Sequence, residues 1–130
     1  MSEQAQWQGQ TAAITVPDDS TADIKAIRIR QGANTLWMRV LNSAHSALDV
    51  FNVQISPFSD TTYHTIADVA SDFTTNIQWP ILGVDTDPTS LSKSTASLIA
   101  VDCRGLEWIK CQGSAANISD TTVTVQWQQR

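Results

Sequence analysis

Thr122-Val123-Thr124-Val125-Gln126-Trp127-Gln128 decides the fold. Apolar residues stand at every second position, Val123, Val125 and Trp127, with polar residues between them. A strand turns successive side chains to opposite faces, so this spacing gives one buried face and one wet face. A helix, at about 3.6 residues per turn, would scatter the same apolar side chains around its circumference. Asp49-Val50-Phe51-Asn52-Val53-Gln54-Ile55-Ser56 repeats the pattern, with Phe51, Val53 and Ile55 on one face. Two further segments alternate less cleanly. In residues 24–30, Ile27 and Ile29 alternate with Arg28 and Arg30, and in residues 35–41, Leu36, Met38 and Val40 oppose Trp37, Arg39 and Leu41. The second of these is expected to be covered on both faces. Further strands are expected at 12–16, 63–67, 76–82, 97–103 and 107–112, about nine in all.

Residue choice agrees with the spacing. Thr, Val, Ile and Trp are common, whereas the helix formers Glu and Lys occur only twice and three times. Turn signals separate the candidate strands: Pro17-Asp18-Asp19-Ser20, Gln31-Gly32-Ala33-Asn34, Ser56-Pro57, Asp85-Thr86-Asp87-Pro88, Arg104-Gly105 and residues 114–120. Residues 66–73 have partial helical spacing, but Asp68, Ser71 and Asp72 limit them to a turn of helix. No long helical pattern alternates with the strands, which argues against a parallel α/β sheet. The expected fold is all-β, an antiparallel β-sandwich of jelly-roll type. Residues 1–12 are expected to form an extended N-terminal arm and residues 13–130 the single sandwich domain, with 85–93 as its longest loop.

The chain has 130 residues, a net charge of −5 and a charged fraction of 16%, well below the roughly 25% of an ordinary soluble domain. Three Lys and five Arg do not readily make the basic patch that phosphate backbones or anionic lipids require, so nucleic acid and membrane are not expected partners. No apolar run approaches the roughly 20 residues of a membrane-spanning helix. Residues 1–10 show no basic stretch followed by an apolar one, so no secretory signal is read and cytosolic synthesis is expected. Cys103 and Cys111 lack CxxC spacing and a nearby His pair, which points to two reduced thiols in place of a metal site or a disulfide. Asn117-Ile118-Ser119 fits the glycosylation pattern but reads as part of a polar turn.

An enzyme would need a constellation of reactive groups, and the chain offers few. His45, in Asn42-Ser43-Ala44-His45-Ser46 with Asp49 nearby, has no GxSxG frame and reads as a turn residue, and His64 beside Tyr63 reads as a strand position. Asp85-Thr86-Asp87 is a DxD pair without the Gly and Glu of a calcium loop, and Asp18, Asp19 and Asp23 read as an acidic turn. No catalytic residues, cofactor or metal are expected. The five tryptophans, Trp7, Trp37, Trp79, Trp108 and Trp127, are the distinctive feature. Trp37 and Trp127 sit in apolar-periodic segments and are expected in the core. Trp7, between Gln6 and Gln8 in a polar arm, must dock either on its own domain or on a neighbouring chain, and Trp79-Pro80 either closes a strand or joins a contact surface.

The stretch Leu98-Ile99-Ala100-Val101-Asp102-Cys103-Arg104-Gly105-Leu106-Glu107-Trp108-Ile109-Lys110-Cys111, the terminal strand at 122–128 and residues 47–55 together resemble small all-β structural proteins of tailed-bacteriophage virions. The likeness covers about the C-terminal two-thirds and lies in a strand, an Asp-x-Arg-Gly-Leu turn and a following strand. Cys103 and Cys111 stand where aliphatic or basic residues are expected, and the arm before Asp23 falls outside the likeness. The resemblance implies a non-enzymatic capsid cement or decoration protein. Such a protein would be made in the host cytoplasm, sit on the capsid surface, bind the major capsid protein and self-associate as a dimer or trimer. Trp7, Ile14 and Trp79 are the expected interface anchors, with the arm adding a strand to a neighbour's sheet. The alternative is a carbohydrate-binding or receptor-binding domain of a tail or baseplate.

Overall fold

A computed structural model describes residues 7–18, 20–44, 48–58, 62–68, 79–86, 88–91, 94–115 and 121–130. Among them lie ten strands and one short 3-10 turn, Pro88–Ser90. In chain order the strands are Gly9–Gln10 (β1), Ile14–Val16 (β2), Ala22–Arg28 (β3), Thr35–Ala44 (β4), Leu48–Ser56 (β5), His64–Asp68 (β6), Ile81–Val84 (β7), Ala96–Asp102 (β8), Trp108–Ala115 (β9) and Thr121–Gln129 (β10). They form two antiparallel sheets. The front sheet has the order β1-β10-β4-β8-β7, with β2 also on β10, and the back sheet has the order β3-β9-β5-β6. The molecule is an all-β, antiparallel sandwich, as the alternation of the sequence predicts.

The pairings nest. β1 and β2 pair with β10, β3 with β9, β4 with β8, and β5 with β6, so the chain folds like one long hairpin wound around a shared core. That core is filled by inward residues of both sheets. Leu36, Met38, Val40, Ile99, Val101, Val123 and Val125 of the front sheet meet Phe51, Val53, Ile55, Ile27 and Ile109 of the back sheet, all buried. Each large side chain contributes roughly 1.5–3 kcal/mol by leaving water.

Several boundaries differ from the sequence reading, for local reasons. Ile66, Ala67 and Asp68 belong to strand β6, since pairing with β5 outweighs the weak helical spacing expected there. Residues 69–73 and 76–78 lie outside the described residues, and the strand expected over 76–82 runs instead over Ile81–Val84. The loop after β7 is drawn inward by two polar residues on core-facing positions. Asn42 Nδ2 donates to Leu91 O at 3.1 Å, and Ser97 Oγ donates to Thr86 O. Leu91 is thereby buried. Cys103 and Cys111 are free and buried. Burial pushes the Cys103 thiol above its ordinary pKa and pushes that of Cys111 up to about 12, so neither is a ready thiolate.

Of the expected N-terminal arm, residues 1–6 lie outside the described residues. Residues 7–16 run along β10 of their own domain: Gln8 N donates to Trp127 O, Thr11 N donates to Val125 O, and after Ala12 and Ala13 the pairing resumes at β2.

Candidate functional site

The outward face of the front sheet carries a strip of exposed apolar side chains, whereas the most exposed one among the described residues, Phe58, stands alone after β5. Register places Gln128, Trp37, Ala100 and Gly83 in one row across β10, β4, β8 and β7, and Gln126, Arg39 and Leu98 in the next. Trp37 is the centre. The sequence reading expects it in the core, but Leu36 and Met38 occupy the inward positions on either side of it, which turns its indole out with 36% exposure. On one side of it lies a groove of about 510 Å³ lined by Trp7, Arg39, Leu98, Asp85, Gln128 and Arg130. On the other lies one of about 340 Å³, where Thr35, Leu82, Gly83 and Ala100 join Leu98 and Asp85. Trp37 is thus an apolar ridge between two shallow clefts with polar rims. Leu82, 55% exposed, extends the apolar strip toward the edge strand β7.

Trp7 reaches this face because the chain around it is held by side chains that imitate peptide groups. Gln8 Nε2 donates to Gln129 O at 3.2 Å, and Gln129 N donates to Gln8 Oε1 at 2.8 Å, so the Gln8 amide prolongs the ladder beyond β1. The Gln129 side chain does the same between the sheets, accepting from Arg30 N at 2.5 Å and donating to Arg28 O at 2.8 Å. Gly9 completes the arrangement: it pairs with Trp127, and a Cβ at Gly9 would lie inside the Trp127 ring. Trp127 packs against the core, as its alternation predicts, with Lys25 Nζ 5.0 Å from its ring centre.

Trp79 stands at the end of the front sheet where β8 finishes. Its Nε1 donates to Asp102 Oδ2 at 3.2 Å, and its indole is 51% exposed. Asp102 also organises the Asp-x-Arg-Gly-Leu turn. Its carboxylate accepts from Arg104 N at 3.2 Å, from Arg104 Nε at 3.0 Å and from Arg104 Nη2 at 3.0 Å. Leu106 N closes the turn on Cys103 O, and Gly105 takes the positive φ of 78° that its third position requires. These donors, Arg104 foremost, hold the Asp102 carboxyl at a pKa of about 2, well below the usual carboxylate range.

Of the three expected anchors, the structure brings Trp7 onto the outward face of the front sheet and sets Trp79 at its end. Ile14 is separate: it is partly buried and packs on the core of its own domain. The missed residue is Trp37, together with Leu82 and Leu98. An alternating segment apolar at nearly every position does not say which set faces in. Among the other candidate residues of the sequence, Asp85 accepts through Oδ1 from Leu98 N at 2.7 Å and so prolongs the pairing of β7 with β8, while Asp87 lies outside the described residues. His45, Asp19 and Asn117-Ile118-Ser119 also lie outside them, and His64 is exposed at the start of β6. Among the described residues, no three His, Cys, Asp or Glu side chains come together as metal ligands.

A scan against protein-family models finds no match to the chain, and a search of curated proteins finds none either.

Proposed function

We propose that this protein is a non-enzymatic virion structural protein, a cement or decoration protein that binds the major capsid protein through the outward face of its front sheet. The observation that carries the reading is the tryptophan ridge. Trp37, flanked by Trp7, Leu98 and Leu82, interrupts an otherwise polar surface with large rigid anchors, the residue type that dominates binding energy at protein interfaces. The nested strand pairing supports the jelly-roll reading, a wrapping used by viral capsid domains and by lectins. The same surface supports a second reading. An indole with Arg39, Asp85, Gln128 and Arg130 around it resembles a sugar-stacking platform, as a carbohydrate-binding or receptor-binding tail domain would need.

Gel filtration with light scattering on the purified protein, alone and with empty tailed-phage heads, tests the first reading. Co-elution with the heads is the expected result. Elution apart from the heads, combined with quenching of tryptophan emission by a glycan from a sugar panel, would replace capsid binding by the second reading.

A further inference from the structure

We propose that the cleft at the end of the sandwich where β3 turns into β4 and β8 into β9 binds a small organic monocarboxylate with an apolar body. The cleft holds about 590 Å³ and shares no lining residue with the two grooves beside Trp37. Sites for small molecules run from roughly 300 to 1,000 Å³. Main-chain bonds between turns distant in sequence fix its walls. Ile29 N donates to Glu107 O at 2.7 Å, Cys103 N donates to Asn34 O at 2.9 Å, and Glu107 N donates to Ser56 O at 3.0 Å. The cleft is therefore formed in advance, and a ligand has little left to order.

Charge sets the sign of the ligand. Arg28, Arg30 and Glu107 line the cleft, together with the Cys103 thiol, which burial keeps protonated. Glu107 Oε1 lies 3.4 Å from Arg28 Nη2, so Arg30 is the uncompensated charge. Among the described residues no carboxylate pairs with it. The Arg30 main-chain N–H donates to Gln129 Oε1 at 2.5 Å, and Nη2 donates to Gln129 O at 2.9 Å. These two bonds hold the guanidinium against the end of β10. They use one N–H of Nη2 and leave one two-donor edge of the guanidinium open, the geometry that a carboxylate accepts with two parallel hydrogen bonds.

The turns add main-chain donors. Gly32 and Gly105 line the cleft at φ of 86° and 78°, so bare peptide borders it at both positions. The N–H groups of Gln31, Gly32 and Gly105 have no acceptor among the described residues. The amount of charge narrows the class further. Arg28 and Arg30 against Glu107 leave the lining at +1, which balances a monoanion, whereas a phosphate dianion would sit against Glu107. Ile29, Ala33, Pro57 and Leu106 supply apolar lining for the rest of the ligand. The site is independent of the capsid reading, which rests on the front face.

Titration of the isotope-labelled full chain with phenylacetate at neutral pH, followed through its amide NMR spectrum, tests the proposal. The Gln31, Gly32 and Gly105 amides are expected to shift and saturate with a Kd of about 1 mM or tighter. Phenylacetamide, the neutral counterpart, should bind at least tenfold more weakly. Arg30→Gln is expected to weaken phenylacetate binding at least tenfold while the far-ultraviolet circular dichroism stays that of the parent. Arg30→Lys, which keeps the charge but not the two-donor edge, should bind more weakly than the parent and more tightly than Arg30→Gln. Lys110→Ala removes a positive charge from the back face and should bind phenylacetate as the parent does. Shifts that do not saturate by about 20 mM, equal binding of phenylacetamide, indifference to Arg30→Gln, or tighter binding of inorganic phosphate overturns the proposal.

Discussion

The two outward faces of the sandwich follow the same strand alternation and end differently. On the back sheet several outward residues pair with one another, although Asn52 Oδ1 accepts no hydrogen bond from the described residues. Gln112 Nε2 donates to Asp23 Oδ1 at 2.6 Å, Lys110 Nζ lies 3.3 Å from the same oxygen and 4.2 Å from the Tyr63 ring centre, and Arg28 stands over Trp108. On the front sheet a polar row also exists, in which Gln126 Nε2 donates to Gln10 Oε1 and Arg39 Nη1 donates to Gln126 Oε1. Beside that row, however, Trp37, Leu98, Ala100 and Leu82 have only shallow clefts around them. Among the described residues, the charged groups of the back face are paired within the chain. The front face holds apolar surface that would gain by being covered, which is what the proposed contact face needs.

This contrast can be broken at three places. The largest effect is expected from Gly9→Val. The new side chain collides with Trp127, costing about 1–3 kcal/mol and lifting residues 7–10 from β10. A fall in Tm with a red shift of tryptophan emission would show it, and shell binding should weaken as Trp7 leaves its groove. Next comes Asp102→Asn. Because the folded pKa of Asp102, about 2, lies below the roughly 3.9 of an unfolded aspartate, its contribution is complete above about pH 5 and is lost as pH falls toward 2. The variant's Tm should therefore fall less than the parent's between those limits. The residual slope would include Asp23, whose carboxyl is also held below the usual range, by Gln112 first and then by Lys110. The smallest effect on binding is expected from Lys110→Ala on the back face: because its ammonium sits between Asp23 and the Tyr63 ring, denaturant melts should show a loss of about 1 kcal/mol, and shell binding none.

Much of this architecture is legible in the sequence. Phe51, Val53 and Ile55, with Val123 and Val125, announce their strands because a buried face opposite a wet one leaves a two-residue rhythm. Trp37 is illegible for the converse reason. Its strand is apolar on both faces, and only the packing of Leu36 and Met38 shows which set is inside. Trp7 is half legible: an aromatic in a polar arm has to dock somewhere. The signal that it docks on its own domain is Gly9, whose missing side chain makes room for Trp127 three-dimensionally, not sequentially. Asn42 and Ser97 break the rhythm at inward positions, and what they do there, tying the loop after β7 into the core, depends on backbone carbonyls that a sequence does not display.

The central claim is that the front face, and not the back, meets the capsid. The direct measurement is the affinity for empty heads of the parent, of Trp37→Ala and of Gln54→Ala, one substitution on each face. Trp37→Ala should lose at least tenfold in affinity, about 1.4 kcal/mol or more, and Gln54→Ala should bind as the parent does. Equal binding by all three, or a loss confined to Gln54→Ala, would contradict it.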